Sequence, residues 1–130
     1  MRTYYSPATS MTPEVTLSGK DARLSIAGEC YPENPLHFFA PLFQALNEVF
    51  EGQTLSHFSA NIHLKYINSA STKAFRQIFK LLDAAAARGV GVRIEWVFDS
   101  EDDALQELGV DLAEDMVFLD YRECPMESVA

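Results

Sequence analysis

Three hydroxyl side chains crowd one short stretch, Asn68-Ser69-Ala70-Ser71-Thr72-Lys73, where an alternating apolar pattern gives way to a helical one. A helix start leaves backbone N–H groups unpaired and carries the positive end of the helix dipole, so a side-chain oxygen or a phosphate is well placed there. Two chemistries suit Ser69, Ser71 and Thr72. One is capping, which hydroxyls at helix starts commonly perform. The other is phosphorylation, which adds about two negative charges at the helix N-terminus. The dipole favours that charge, while Glu29, Glu33, Asp99 and Asp102, if gathered nearby, oppose it. Such opposed effects suit a switch in which the chain stays folded while the electrostatics of a partner surface invert.

The remaining reactive side chains point to no second chemistry. The acidic run Asp99-Ser100-Glu101-Asp102-Asp103 reads as a solvated helix start and lacks the ligand spacing and glycine of an EF-hand. Glu29 and Glu33 offer an acid/base pair, but no nucleophile motif stands beside them. His57 and His63 share a strand face, yet the strand between them holds them about 20 Å apart, too far for one metal ion. His37 falls early in a helix, at the edge of the core. There is no Gly-x-Ser-x-Gly and no phosphate-binding glycine loop. Cys30 is either a loop thiol or a small buried residue, and Trp96 falls on a core-facing strand position. The residues predict no catalytic group, no metal site and no cofactor.

The elements that position these groups follow from periodicity. Glu14 to Gly19 and Arg23 to Gly28 alternate and are joined by a short turn-forming link, so they predict a β-hairpin. Asn34 can cap and Pro35 can open a helix whose stripe of Phe39, Leu42, Phe43, Leu46, Val49 and Phe50 ends at Gly52. His57 to Ile67 alternates, with Phe58, Ala60, Ile62, Leu64 and Tyr66 on one face and polar residues on the other. A sandwiched parallel strand is apolar almost throughout, so this alternation predicts helices mainly on one face of the sheet. A second helix runs from Asn68 to Arg88-Gly89, and a strand from Val90 to Phe98. Ser100, with Asp103 three positions on, predicts a capped third helix ending near Gly109. Asp115 to Tyr121 reads as a final strand.

The expected fold is therefore α/β, ordered ββαβαβαβ, with a mixed, mostly parallel sheet. Residues 1–11 are expected to be a flexible N-terminus, 12–121 a single domain and 122–130 a C-terminal tail. Parallel crossovers bring the Glu29 to Asn34 loop, the Asn68 to Thr72 junction and the Asp99 to Asp103 loop to one sheet edge, where open α/β sheets bind ligands. Such a cleft would also serve a small-ligand or nucleotide sensor.

Bulk properties narrow the partners. The chain has 130 residues, 19 acidic against 10 basic, for a formal charge of −9. That charge repels phosphate backbones and anionic lipid, and Lys65, Lys73, Arg76 and Lys80 are spaced as a solvated face, so nucleic acid is not an expected partner. No apolar run approaches membrane-span length. Cys30 and Cys124 form no Cys-x-x-Cys pair and come with no secretory leader, which predicts a reduced, cytoplasmic setting.

Four segments carry a family resemblance. Thr12-Pro13-Glu14-Val15, Gly28-Glu29-Cys30-Tyr31-Pro32-Glu33-Asn34, Tyr66-Ile67-Asn68-Ser69-Ala70-Ser71, and Trp96 followed by Asp99 to Gly109 resemble, in order and spacing, the SiaC-like regulatory phosphoproteins. The resemblance covers about Thr12 to Phe118. It implies a STAS-like fold similar to that of anti-sigma-factor antagonists, in a bacterial adaptor without catalysis of its own. It further implies a dedicated protein kinase, a PPM-type phosphatase that resets the modification, and a diguanylate cyclase bound and activated by the unphosphorylated protein. Cyclic-di-GMP output, aggregation and biofilm formation would then follow the phosphorylation state. The family's phosphoacceptor follows the motif asparagine and maps onto Ser69, with Ser71 and Thr72 as fallbacks. The implied partner surface comprises Tyr31, Pro32, Glu33, Asn34, Asn68, Asp99 and Asp102. Here serine stands at Ser69 where threonine is usual, and Ala70 and Cys30 each replace a more usual serine.

Overall fold

Apolar residues at every second position give each central strand one face that must be covered. In the computed structural model, which describes residues 2–127, Leu24 and Ile26, then Phe58, Ala60, Ile62 and Leu64, then Val92, Ile94, Trp96 and Phe98 are all buried. The intervening Asn61, Lys65 and Arg93 are exposed. The elements run β1 (Thr3–Ser6), β2 (Glu14–Ser18), β3 (Arg23–Cys30), α1 (Pro35–Gly52), β4 (His57–Ile67), a 3-10 turn (Ser69–Ser71), α2 (Thr72–Ala87), β5 (Gly91–Asp99), α3 (Asp103–Glu114) and β6 (Asp120–Met126).

The strands form one six-stranded sheet in chain order, β1-β2-β3-β4-β5-β6. The pairs β1/β2 and β2/β3 are antiparallel, and β3/β4, β4/β5 and β5/β6 are parallel. Three crossovers step in the same direction, and with the usual right-handed connection they lay all three helices on one face. The mixed, mostly parallel α/β sheet with helices on one side is as the periodicity predicts.

The helices close that face with aromatic contacts. Phe39 of α1 meets Phe75 of α2 edge-on at 5.4 Å, and Phe79 meets Trp96 at 6.0 Å. The buried Trp96 indole N–H donates to the Leu105 carbonyl of α3 at 2.9 Å, which satisfies the one polar group this core residue carries. Gly109 lies inside α3 and does not end it. A Cβ there would meet the Trp96 ring at 2.6 Å and the Tyr121 hydroxyl, so the glycine permits the close approach of helix and sheet.

Four further sequence-based expectations are corrected. Residues 3–6, expected within a loose N-terminus, form β1, because Thr3 to Ser6 find a pairing edge opposite Ser18 to Val15. The order is therefore βββαβαβαβ. The last strand is Asp120–Met126, so residues 122–126 of the expected tail belong to the sheet, paired with β5. Residues 128–130 of that tail lie outside the described residues. The expected strand start at Asp115 is a turn, because the Asp83 carboxylate of α2 accepts the N–H groups of Val117, Phe118 and Leu119 at 3.2, 2.8 and 2.9 Å. Those amides are thereby withdrawn from any ladder. Finally, α3 is capped by Asp102, whose Oδ1 accepts the Leu105 N–H at 3.0 Å, and not by Ser100, whose own N–H donates to Met126 O at 2.7 Å.

Candidate functional site

The parallel strands β3, β4 and β5 end on the same sheet edge, and the geometry there is built around Asn68. Its side-chain Oδ1 accepts the Ser71 N–H at 3.0 Å and closes the 3-10 turn that leads into α2. Its own N–H donates to Cys30 O at 3.1 Å, which ties the junction to the Glu29 to Asn34 loop. That loop is in turn held by the Tyr31 N–H donating to Met11 O at 2.7 Å. The capping role open to the three hydroxyls is therefore taken by asparagine, leaving them in three different environments.

Ser69 is exposed, and among the described residues its hydroxyl has no hydrogen-bond partner. Thr72 is half-buried and its Oγ1 donates to Ser69 O at 2.7 Å. Ser71 is fully buried, with its hydroxyl against the Cys30 thiol and no other partner. Burial pushes the Cys30 thiol up to about 11, partly offset by the Ser71 hydroxyl. Cys30 is thus the small core residue of the two readings, fully enclosed and protonated at neutral pH.

Beside Ser69 the backbone departs from regular pairing. Gly28 pairs with Leu64 and Glu29 with Tyr66, so Lys65 is an extra residue on β4, a β-bulge. Gly28 adopts φ +124°, a conformation that favours glycine, although a Cβ there would have room. Past the bulge Tyr66 leaves the core face to which its alternation assigns it. It is 51% exposed and meets Tyr31 edge-on, with ring centroids 5.7 Å apart. The isolated Gly28 inside an apolar strand was the available signal for this bulge.

The acidic loop forms a neighbouring but separate feature. A cleft of about 700 Å³ opens between the ends of β4 and β5, lined by His63, Leu64 and Lys65 on one side and Asp99, Glu101, Asp102 and Asp103 on the other. Ser69 does not line it. The expected single surface is therefore a junction patch and an acidic cleft on one edge, with Lys65 at the bulge between them.

Several expected surface residues have local duties. Pro32 is buried and leaves the surface. Asn34 Oδ1 accepts the His37 N–H at 3.2 Å as the α1 cap, and Asp99 Oδ1 accepts the Glu101 N–H at 2.9 Å. Glu33 is exposed, Glu29 is half-buried in β3, and no hydrogen bond joins them. Among the described residues no group of three His, Cys, Asp or Glu side chains is placed to hold a metal ion, and His57 and His63 stand apart along β4. Among the described residues no helix is long and apolar enough to cross a membrane.

A one-sided, mostly parallel sheet with a bare hydroxyl at a strand-to-helix junction defines a small α/β domain with three helices on one face. The chain belongs to the SiaC family: the sequence model of the SiaC family regulatory phosphoproteins matches residues 6–125. An uncharacterized protein of Pseudomonas aeruginosa strain UCBPP-PA14 is 30% identical over 118 residues, covering 91% of this chain and 93% of the relative. The crystal structure of apo-SiaC from Pseudomonas aeruginosa superposes with a TM-score of 0.86 at 27% identity, covering 95% of this chain and 99% of that one. A chain from the crystal structure of the diguanylate cyclase SiaD in complex with its activator SiaC, also from Pseudomonas aeruginosa, gives a TM-score of 0.82 at 26% identity, covering 92% and 98%.

Proposed function

We propose that this chain is a non-catalytic cytoplasmic adaptor, switched by reversible phosphorylation of Ser69, that binds and regulates a diguanylate cyclase. The observation that carries the proposal is the exposure of Ser69 beside the enclosed Ser71 and the hydrogen-bonded Thr72. A kinase must reach the hydroxyl it modifies, and that of Ser69 is exposed. Because Asn68 supplies the cap, a phosphate on Ser69 displaces no hydrogen bond of the fold. Lys73 is exposed one helical turn on, on the side of Ser69, and favours the added charge together with the helix dipole. The phosphate therefore alters the surface offered by Tyr31, Glu33, Tyr66 and Ser69 more than it alters stability.

The relatives support the partner assignment: SiaC is the activator of the diguanylate cyclase SiaD in a complex whose SiaC-like chain shares this fold. A protein kinase adds the phosphate and a PPM-type phosphatase removes it, with cyclic-di-GMP output following the unmodified form. Intact mass and peptide mapping after incubation with the kinase test this reading, which predicts one phosphate on the peptide containing Ser69. No phosphate anywhere in residues 68–72 would sink it.

The size of the cleft, about 700 Å³, and its polar lining support a second reading, a small-ligand or nucleotide sensor. A thermal-shift screen with nucleotides separates the two, since a ligand bound to the native state raises the midpoint. A flat screen removes the sensor.

A further inference from the structure

We infer that the β6 edge is a second docking site, which takes an extended protein segment carrying an apolar and a basic side chain two positions apart. The strand order ends at β6, so among the described residues Asp120–Met126 presents one side of its backbone without a neighbouring strand. Pro125 is tolerated in a sheet where its missing N–H faces away from the ladder. By alternation, the backbone groups of Tyr121 and Glu123 face that same open side. Their side chains share a face with those of Ile94 and Trp96, which they oppose on β5, so they turn toward the helix-covered side.

There a groove of about 500 Å³ runs between strand and helix, lined by Val110, Ala113 and Glu114 of α3 and by Tyr121 and Glu123 of β6. Val110 is 49% exposed, whereas Leu105 and Leu112 of the same helix are buried. An added strand beside β6 would take main-chain hydrogen bonds from Tyr121 and Glu123 and send alternate side chains into the groove, the geometry of β-strand addition. Residues two apart on a strand share a face, which sets the required spacing.

Charge decides the occupant. Glu114 and Glu123 rim the groove, and no lysine or arginine pairs with either among the described residues; Glu123 accepts only the Gln106 amide at 3.3 Å. A second copy of this chain would bring the same carboxylates and its own charge of −9 against them. A lysine or arginine in the entering segment complements them. Pro125 ends the usable edge, so the pairing is short. The site lies two strands away from β4, which leads into the Ser69 junction, and so stays available in either state of the proposed switch.

The test is titration of the nitrogen-labelled full chain with a blocked synthetic peptide of sequence TVTKTV, followed by amide resonances. Shift changes concentrated at Tyr121, Glu123 and Val110, weakened roughly tenfold by Val110→Arg, support the site. Val110 is half exposed, so an unchanged melting temperature verifies that the variant folds. Absence of shifts at millimolar peptide, or shifts centred on Asp99 to Asp103, overturns the inference. Dimerisation of the free chain that Val110→Arg abolishes also overturns it, by giving the edge to a second copy.

Discussion

The Asn68 side chain accepts the Ser71 N–H at 3.0 Å, so the residue before the exposed serine, and not that serine, closes the helix start. This separates the cap from the proposed phosphoacceptor at the junction. Asn68→Ala removes the cap and is expected to cost about 1 kcal/mol of stability. Ser69→Ala removes a hydroxyl without a partner and should leave the urea midpoint unchanged. Equal losses in both variants would show that Ser69 shares the capping.

Gly109 lets α3 approach Trp96 and Tyr121. Alanine in place of glycine inside a helix ordinarily gains about 1 kcal/mol. Here the new methyl group overpacks a buried contact, a cost of about 1–3 kcal/mol. Gly109→Ala is expected to lower the melting temperature and shift Trp96 fluorescence. A raised melting temperature would show that helix and sheet are not in close contact there.

Asp83 gathers three backbone N–H groups from the turn before β6. Asp83→Ala leaves those amides to water and loosens the entry to the edge strand, at an expected cost of about 1–3 kcal/mol. Amide hydrogen exchange reads this directly: Val117, Phe118 and Leu119 should lose protection together while Ile62 in the sheet centre keeps its own. Unchanged protection at Phe118 would contradict the clamp.

Burial holds the Cys30 thiol at about 11 against an ordinary 9.0. The native chain therefore binds that proton more tightly than the unfolded chain. The resulting stability is full below about pH 9 and is lost as pH climbs through about 11. Tyr121, also raised by burial and by neighbouring Glu123, adds loss in the same direction above its ordinary 10.0. Urea midpoints should fall with rising pH across this window, and Cys30→Ala should make the fall shallower. Parallel slopes would remove Cys30 from the account.

Much of this architecture is visible in the chain itself, because local rules decide it. Phe58 to Leu64 and Val92 to Phe98 alternate so cleanly that strand, covered face and open face follow from period alone, and Asn34-Pro35 marks the α1 start. What stays hidden depends on distant partners. Thr3 to Ser6 is a strand only because β2 offers an edge. The turn before β6 is held by a carboxylate 34 residues away from Val117. At the site, Asn68, Ser69 and the two loops are foreseeable from topology, whereas the enclosure of Ser71 against Cys30, the burial of Pro32 and the outward turn of Tyr66 past the Lys65 bulge follow from packing. Polar type and spacing alone leave the three hydroxyls equivalent; burial separates them.

The proposed switch is tested most directly by measuring cyclase binding to the kinase-treated chain beside kinase-treated Ser69→Ala. Kinase treatment is expected to abolish binding by the natural chain and to leave Ser69→Ala bound as tightly as the untreated protein. Loss of binding in both would contradict Ser69 as the control point, as would retention in both once phosphate on the natural chain has been verified.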